Sequence, residues 1–278
     1  MSVKVVADSA ADLPREIVEG LDIRIVPLTV RFGDEEFVEG RDLDPAEFYR
    51  RMEASPSLPK TAQPTPAQFA KAFTEAHEAS GGDGVFCVTI SSGLSGTYQS
   101  ANLGKEMSGR PVVILDSLAA SLGEGVLAFR AAEAARDGLR LQALTGLLTK
   151  LRDELTVLIG LETLENVVRG GRLSPVKGFV AQLLNFKAIL HNIDGRPVPL
   201  ERVRGTRKLL EHLVELVGER GRDLADKVIG ITHADNLAAA IELRDRLMER
   251  FRPGRIIVSQ MGPTLGTYAG KGGLIIAF

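Results

Sequence analysis

The stretch VFCVTISSGLSGTYQSAN, residues 85–102, carries the fold class. Its first six residues are apolar or β-branched, the pattern of a short strand buried on both faces. Without a linker the chain then runs through Ser91, Ser92, Gly93, Ser95, Gly96 and Thr97 into a helix. A strand that feeds a helix through a short hydroxyl- and glycine-rich loop is half of a βαβ unit, and such units build parallel sheets.

The same rhythm extends outward through the first half. VKVVAD (3–8), IRIVPLTVRF (23–32) and PVVILDS (111–117) read as further strands, with helices between most of them. Two helices announce their starts: Asp44, Pro45 and Glu47 form one N-cap, N1 and N3 set, and Thr65, Pro66 and Gln68 form another. Residues Leu118 to Glu154 read as two helices broken near Asp137 and Gly138. The expected first domain, residues 1–153, is α/β with three layers, a mainly parallel sheet covered on both faces and hydroxyl-rich ligand loops. The second half has a different grammar. KAILHN and PVPLERV flank a hairpin turn at Ile193 to Arg196, and helices at Lys208–Glu219 and Leu237–Phe251 alternate with KVIGITHA, RIIVSQMG and LIIAF. That predicts a second α/β domain, residues 154–278, with two layers, a mixed sheet and glycine-rich loops.

Hydrophobic residues at 44% supply enough apolar material for two cores. The 34 basic and 36 acidic residues are interspersed, so no electrostatic footprint for nucleic acid exists. The lone Cys87, inside an apolar run, excludes an internal disulfide framework and reads as a buried thiol. The opening MSVKVVADS lacks a signal-peptide pattern, and no apolar run reaches the length of a membrane span. A cytoplasmic location without stable membrane insertion is the expectation.

Ligands of open parallel sheets bind beyond the carboxyl ends of the strands, which directs attention to the loops there. The loop of Ser91, Ser92, Gly93, Ser95, Gly96 and Thr97, with free amides at a helix start beside hydroxyl donors, forms either an anion site or an ordinary N-cap and tight turn. Thr61, Gln63 and Thr65 sit among the three prolines of LPKTAQPTPAQF, as a rigid connector or as donors held ready. Asp8 with Ser9, and Asp116 with Ser117, follow two strands, where capping and ligand contact are both open readings. In the second half, Arg172, Arg202, Arg204, Arg207 and Lys208 suit phosphate, or are simply solvated. His233 is a helix cap or a catalytic base. A Ser92, His233, Asp235 triad lacks the nucleophile-elbow motif, and four scattered histidines and one cysteine give no metal-ligand spacing, so neither metal nor cofactor is implied.

Taken together, VVADSAADLP, KTAQPTPAQF, TISSGLSGTYQSA, VVILDS, RGGRLS, LLNFKAIL and GTYAGKGG resemble the landmarks of the DegV family, in order along the whole chain. The resemblance implies a non-catalytic, acyl-carrying subunit of a bacterial fatty acid kinase. Such a subunit holds a long-chain fatty acid in an apolar tunnel at the domain junction and presents its carboxylate to a separate, ATP-dependent kinase subunit. By motif, Thr61, Ser91 and Ser92 would hydrogen-bond the carboxylate, and Arg172 and Arg204 would face the kinase or its phosphate. Tyr268 joins the ligand set where the family often has His; a phenol donates to a carboxylate but brings no positive charge. Ala62, Ala188 and Lys271 also depart from the family pattern. The rival readings are a stand-alone phosphoryl or acyl transferase using Ser92 and the arginines, and a lipid-responsive regulator.

Overall fold

The computed structural model describes residues 2–174 and 186–278. Residues 175–179 of RGGRLSPVKGF and 183–185 of LLNFKAIL therefore lie outside the described residues. The first half runs β1 (Lys4–Asp8), α1 (Arg15–Gly20), β2 (Arg24–Val26), β3 (Thr29–Phe32), β4 (Glu35–Val38), α2 (Pro45–Ala54) and β5 (Lys60–Ala62). It continues with α3 (Pro66–Ser80), β6 (Val85–Thr89), α4 (Thr97–Ser108), β7 (Val112–Asp116), α5 (Leu122–Arg136) and α6 (Leu141–Glu154). The order β2-β1-β6-β7 makes an all-parallel sheet. Alternation along its strands explains why they read as apolar throughout. Val6, Val85 and Cys87 pack with Phe69 and Phe73 of α3, whereas Val5, Phe86 and Val88 pack with residues of α5 and α6.

The helix starts are locally encoded. The Asp44 side chain accepts from Glu47 N–H at 2.9 Å, and Thr65 with Gln68 forms a reciprocal capping box, each ahead of a proline in the first turn. The reading of IRIVPLTVRF as one strand needs correction. Pro27 has no N–H to give a ladder, and the chain divides there into β2 of the parallel sheet and β3 of a separate antiparallel sheet ordered β4-β3-β5. That small sheet, whose β5 holds Thr61, was not foreseen in sequence because its strands are only three or four residues long.

The second half runs β8 (Val157–Leu161), α7 (Glu165–Arg169), β9 (Lys187–Ile193), β10 (Arg196–Val203), α8 (Thr206–Arg220), β11 (Val228–His233), α9 (Leu237–Phe251), β12 (Arg255–Gln260), α10 (Pro263–Ala269) and β13 (Leu274–Ala277). Its six-stranded sheet is ordered β10-β9-β8-β13-β11-β12, antiparallel except for β11 with β12. The architecture is thus two-domain α/β, with a parallel sheet followed by a mixed one. Leu209 and Leu213 of α8 and Leu243 of α9 cover one face over Leu158, Ile189, Ile229 and Ile276. At the exposed edge β10 carries Pro197 and Pro199, which withhold donors from a further strand.

The opposite face of the mixed sheet meets α5, and here the sequence reading falls short. Besides packing on β1 and β6 of its own domain, α5 also packs on β11 and β13 of the second, so that Leu122 to Phe129 are all buried. Glycine makes this possible: a Cβ on Gly230 of β11 would stand 2.6 Å from Leu122 Cβ, and one on Gly125 2.4 Å from the Ala11 carbonyl oxygen.

Glu124 is carried into this interior by α5, fully buried, and neither carboxyl oxygen meets a donor in hydrogen-bond geometry. Burial raises its pKa well above the ordinary 4.5, and the charges of Asp8 and Asp12 push the same way against the nearby Asp8 backbone N–H. A carboxyl whose pKa is raised on folding stabilises the fold fully below its unfolded pKa, and that contribution is lost as pH rises through the folded value. Glu124→Gln should therefore gain stability over wild type increasingly as pH rises above 4.5. Urea unfolding at pH 5 and pH 8 checks it, and an equal difference at the two pH values would show that Glu124 titrates normally in the fold.

Candidate functional site

Strand alternation builds the site. Val157, Ile159 and Leu161 of β8 and Leu190 and Asn192 of β9 project from one face of the mixed sheet, opposite to the α8 side. Facing them are Leu28, Ile90 and Ala120 from the first domain, and Leu265 and Ala269 of α10. Between the two surfaces lies a cavity of about 290 Å³, at the small end of the usual range for small-molecule sites. Its walls are mainly aliphatic, and the side chains around it form one contiguous buried cluster that runs through both domains.

Polar groups collect around Tyr268. The Tyr268 and Thr61 hydroxyls are 2.6 Å apart, which joins α10 of the second domain to β5 of the first. The Arg172 guanidinium lies 4.5 Å from the centre of the Tyr268 ring, and its N–H groups donate to the carbonyl oxygens of Gly170 (2.7 Å) and Leu94 (3.3 Å). Gln63, Ser95 and Gly96 complete this side of the lining. The Gln63 amide fits against Gly96 so closely that a Cβ there would stand 2.1 Å from its Oε1. The loop between β7 and α5 holds Leu118 and Ser121 at φ of 50° and 56°, uncommon for residues with side chains, and presents Ala120 to the cavity.

The structure brings Thr61, Tyr268 and Arg172 together, and it sets Ser91, Ser92 and Arg204 apart from the cavity lining. Fully buried Ser91 donates to the Gly195 carbonyl at 2.8 Å and accepts from Gly93 N–H at 3.0 Å, so its hydroxyl joins the β6–α4 loop to the β9–β10 turn. Asp194 and Gly195 both have positive φ in that turn, as a two-residue hairpin requires, and a Cβ on Gly195 would stand 2.2 Å from Ser91 Oγ. Ser92 is exposed, with its N–H donating to Asp116 at 3.1 Å. Arg204 is exposed just ahead of α8, while Arg172 lines the cavity instead of projecting outward. His233 Nδ1 accepts from Asn236 N–H at 3.2 Å, which is the capping alternative. Asp8 likewise turns inward: burial pushes its carboxyl up to about 7, against backbone bonds from Ile90 and Ala10, and the Glu39 charge adds to the rise. Sequence reasoning did not single out Asn192, although its i+2 spacing from Leu190 was the available signal. Among the described residues, no group of three or more His, Cys, Asp or Glu is arranged to hold a metal, and no helix is long and apolar enough to cross a membrane.

The matching family model, described as "Uncharacterised protein, DegV family", spans residues 2–278. The chain belongs to the DegV family. A protein of Thermotoga maritima named fatty acid-binding protein is 35% identical over an alignment 283 positions long, with 98% of this chain and 96% of the relative covered. A solved DegV-family structure from Thermus thermophilus, described by its fatty acid binding, superposes with a TM-score of 0.92 at 31% identity over 100% of this chain and 99% of that one. The Streptococcus pneumoniae fatty acid kinase B3 protein, loaded with linoleic acid, superposes with a TM-score of 0.87 at 27% identity, again over 100% and 99%.

In this DegV-family chain the two adjacent serines of the Ser/Gly loop should separate in their effect on stability. Ser91→Ala leaves the buried Gly195 carbonyl and the Gly93 N–H without their partner and should cost about 1–3 kcal/mol. Ser92→Ala, at an exposed position, should stay within about 0.5 kcal/mol. Denaturant unfolding of the two variants decides the matter, and equal stabilities would remove the Ser91 tie.

Proposed function

We propose that this protein binds one long-chain fatty acid with its hydrocarbon tail in the cavity between the domains, and presents the carboxyl group to a separate ATP-dependent kinase. The observation that carries the reading is the pairing of an aliphatic cavity with hydroxyl and guanidinium groups on one side. The relatives that carry fatty acids support it at the level of ligand class. Each buried methylene contributes roughly 0.8 kcal/mol before ordering costs, so the tail supplies affinity and the head group needs only orientation. The hydrogen-bonded Thr61–Tyr268 hydroxyl pair donates its remaining proton to the carboxylate, with Ser95 and Gln63 beside it and Arg172 providing the positive charge. Of the hydroxyls expected from the family motif, Ser91 is already engaged elsewhere, and the head-group role passes to Ser95 of the same loop.

In this reading the protein is a carrier and the kinase supplies ATP and its metal. Neutral donors hold the carboxylate while leaving an oxygen able to attack a phosphoryl group brought by the partner. Exposed Arg204 contributes to the face that meets the kinase.

Purified protein should retain an acyl chain in about one-to-one ratio by native mass spectrometry, as a largely buried ligand of this kind is expected to survive purification. Thr61→Val and Tyr268→Phe should each weaken binding of a fluorescent fatty acid by roughly 1–3 kcal/mol. Arg204→Ala should keep ligand affinity while lowering acyl-phosphate formation with a cognate kinase and ATP. Protein that neither carries nor binds a fatty acid refutes the reading, and phosphorylation of fatty acid without a partner would make it an enzyme instead.

A further inference from the structure

The segment that leads into α10 is gripped from the first domain at successive points. Tyr49 Oη of α2 donates to the Met261 carbonyl at 3.2 Å. The Asp12 carboxyl accepts from Gly262 N–H at 2.8 Å with one oxygen and from Ser121 Oγ at 2.5 Å with the other. The Glu39 carboxyl accepts from Thr264 N–H at 3.0 Å, and its second oxygen accepts from Thr264 Oγ1 at 2.8 Å and from Ser9 Oγ at 2.6 Å. Asp12 and Glu39 are only 7% and 6% exposed, and both come from loops that follow strands or turns of the first domain. They thus place two carboxyls on the first N–H groups of a helix, where the backbone has no partner of its own.

That helix is the one that lines the cavity. One turn beyond the Glu39 bond, Thr264 and Leu265 give way to Tyr268 and Ala269, and Tyr268 meets Thr61. Packing leaves no slack around it: a Cβ on Gly266 would stand 2.6 Å from Tyr49 Oη and 2.8 Å from Phe48. A seven-residue helix has little stability of its own, so its direction depends on what holds its ends. At the other end, Asn166 Nδ2 donates to the Thr267 carbonyl at 3.0 Å.

We infer that Asp12 and Glu39 are positioning residues for the head-group site: by holding the start of α10 across the domain seam they fix the Tyr268 hydroxyl against Thr61. This deepens the proposed function and rests on it for the identity of the ligand, a monocarboxylate with a long apolar tail. It also assigns a task to the buried acidic pair that the cavity lining alone leaves unexplained, since neither side chain borders the cavity. The two residues act through α10 and do not touch the ligand.

The test has one arm without ligand and one with it. In ligand-free protein, Glu39→Ala should speed hydrogen exchange of the α10 amides by about 10-fold or more relative to α8. In protein labelled at the tyrosine rings, it should move the Tyr268 resonance, assigned with Tyr268→Phe, towards its position in Thr61→Val, while Tyr98 stays put. Glu39→Gln, which keeps an acceptor for Thr264 N–H, should show the same changes at smaller size, and it provides the readout if Glu39→Ala does not fold. With a fluorescent fatty acid, Glu39→Gln should weaken binding by about 5-fold in wild type and by less than about 2-fold in the Tyr268→Phe background, the non-additivity expected of a residue that works through another. Unchanged α10 exchange, an unmoved Tyr268 resonance, or equal losses of affinity in both backgrounds overturns the inference. Absence of any fatty acid binding by wild type overturns the proposed function instead, and the exchange and resonance arms still decide the clamp.

Discussion

Helix α5 is buried between two sheets, and the relation of the domains follows from that constraint. A helix covered on one side only needs an apolar stripe, whereas α5 packs against β1 and β6 on one side and β11 and β13 on the other. Small residues at the contacts, Gly123, Gly125 and Ala128 on the helix and Gly230 on the sheet, let the backbones approach to distances that larger side chains would forbid. With α5 fixed between them, the sheets cannot rotate independently without opening a core shared by both. The same packing accounts for the cost of Glu124, the one charged residue in the buried run Leu122–Phe129 of α5.

Beside α5, the cavity lies between loops and strands of the first domain and the β8–β9 face of the mixed sheet. Side chains from β8 and β9 form one wall and loops at the carboxyl ends of β6 and β7 another, so an open-sheet site and a mixed-sheet face combine in one cleft. Polar ties cross the seam around it: Ser91 to Gly195, Asn192 to Leu118, Thr61 to Tyr268, and the carboxyls of Asp12 and Glu39 to the start of α10. Those of Ser91 and Glu39 pair groups that are buried at the seam, where an unpaired donor or acceptor would be costly. Such ties pre-organise the cavity, and a preformed cavity loses less entropy on binding than one that must be assembled.

Tyr268 and Lys271, two positions that the family resemblance set apart, both have local partners in this fold. With Tyr268 at the cavity, positive charge comes from Arg172, whose guanidinium stacks on the phenol ring and is steered by the carbonyls of Gly170 and Leu94. Lys271 is exposed and pairs with Glu53 at 3.0 Å and Asp235 at 3.2 Å, which anchors the loop after α10 to α2 and to the start of α9.

What the sequence determined by itself was local: the buried strand Val85–Thr89 and its Ser/Gly loop, the caps at Asp44 and Thr65, the Asp194–Gly195 turn, and the apolar alternation that sorts residues onto two faces. These depend on dihedral preferences and on hydrogen bonds between residues a few positions apart, which spacing reveals. Motif likeness pointed to Thr61 and Tyr268, which both line the cavity, but nothing in their spacing says that hydroxyls 207 positions apart stand within 2.6 Å. Tertiary structure alone decided that Ser91 ties a hairpin while Ser95 lines the cavity, that Arg172 turns inward, that Pro27 divides two sheets, and that Asp12 and Glu39 reach Gly262 and Thr264. A hydroxyl or carboxyl has the same local pattern whether it meets solvent, ligand or backbone. Its role is set by which distant groups the packed sheets bring within about 3 Å of it, the range in which a hydrogen bond forms.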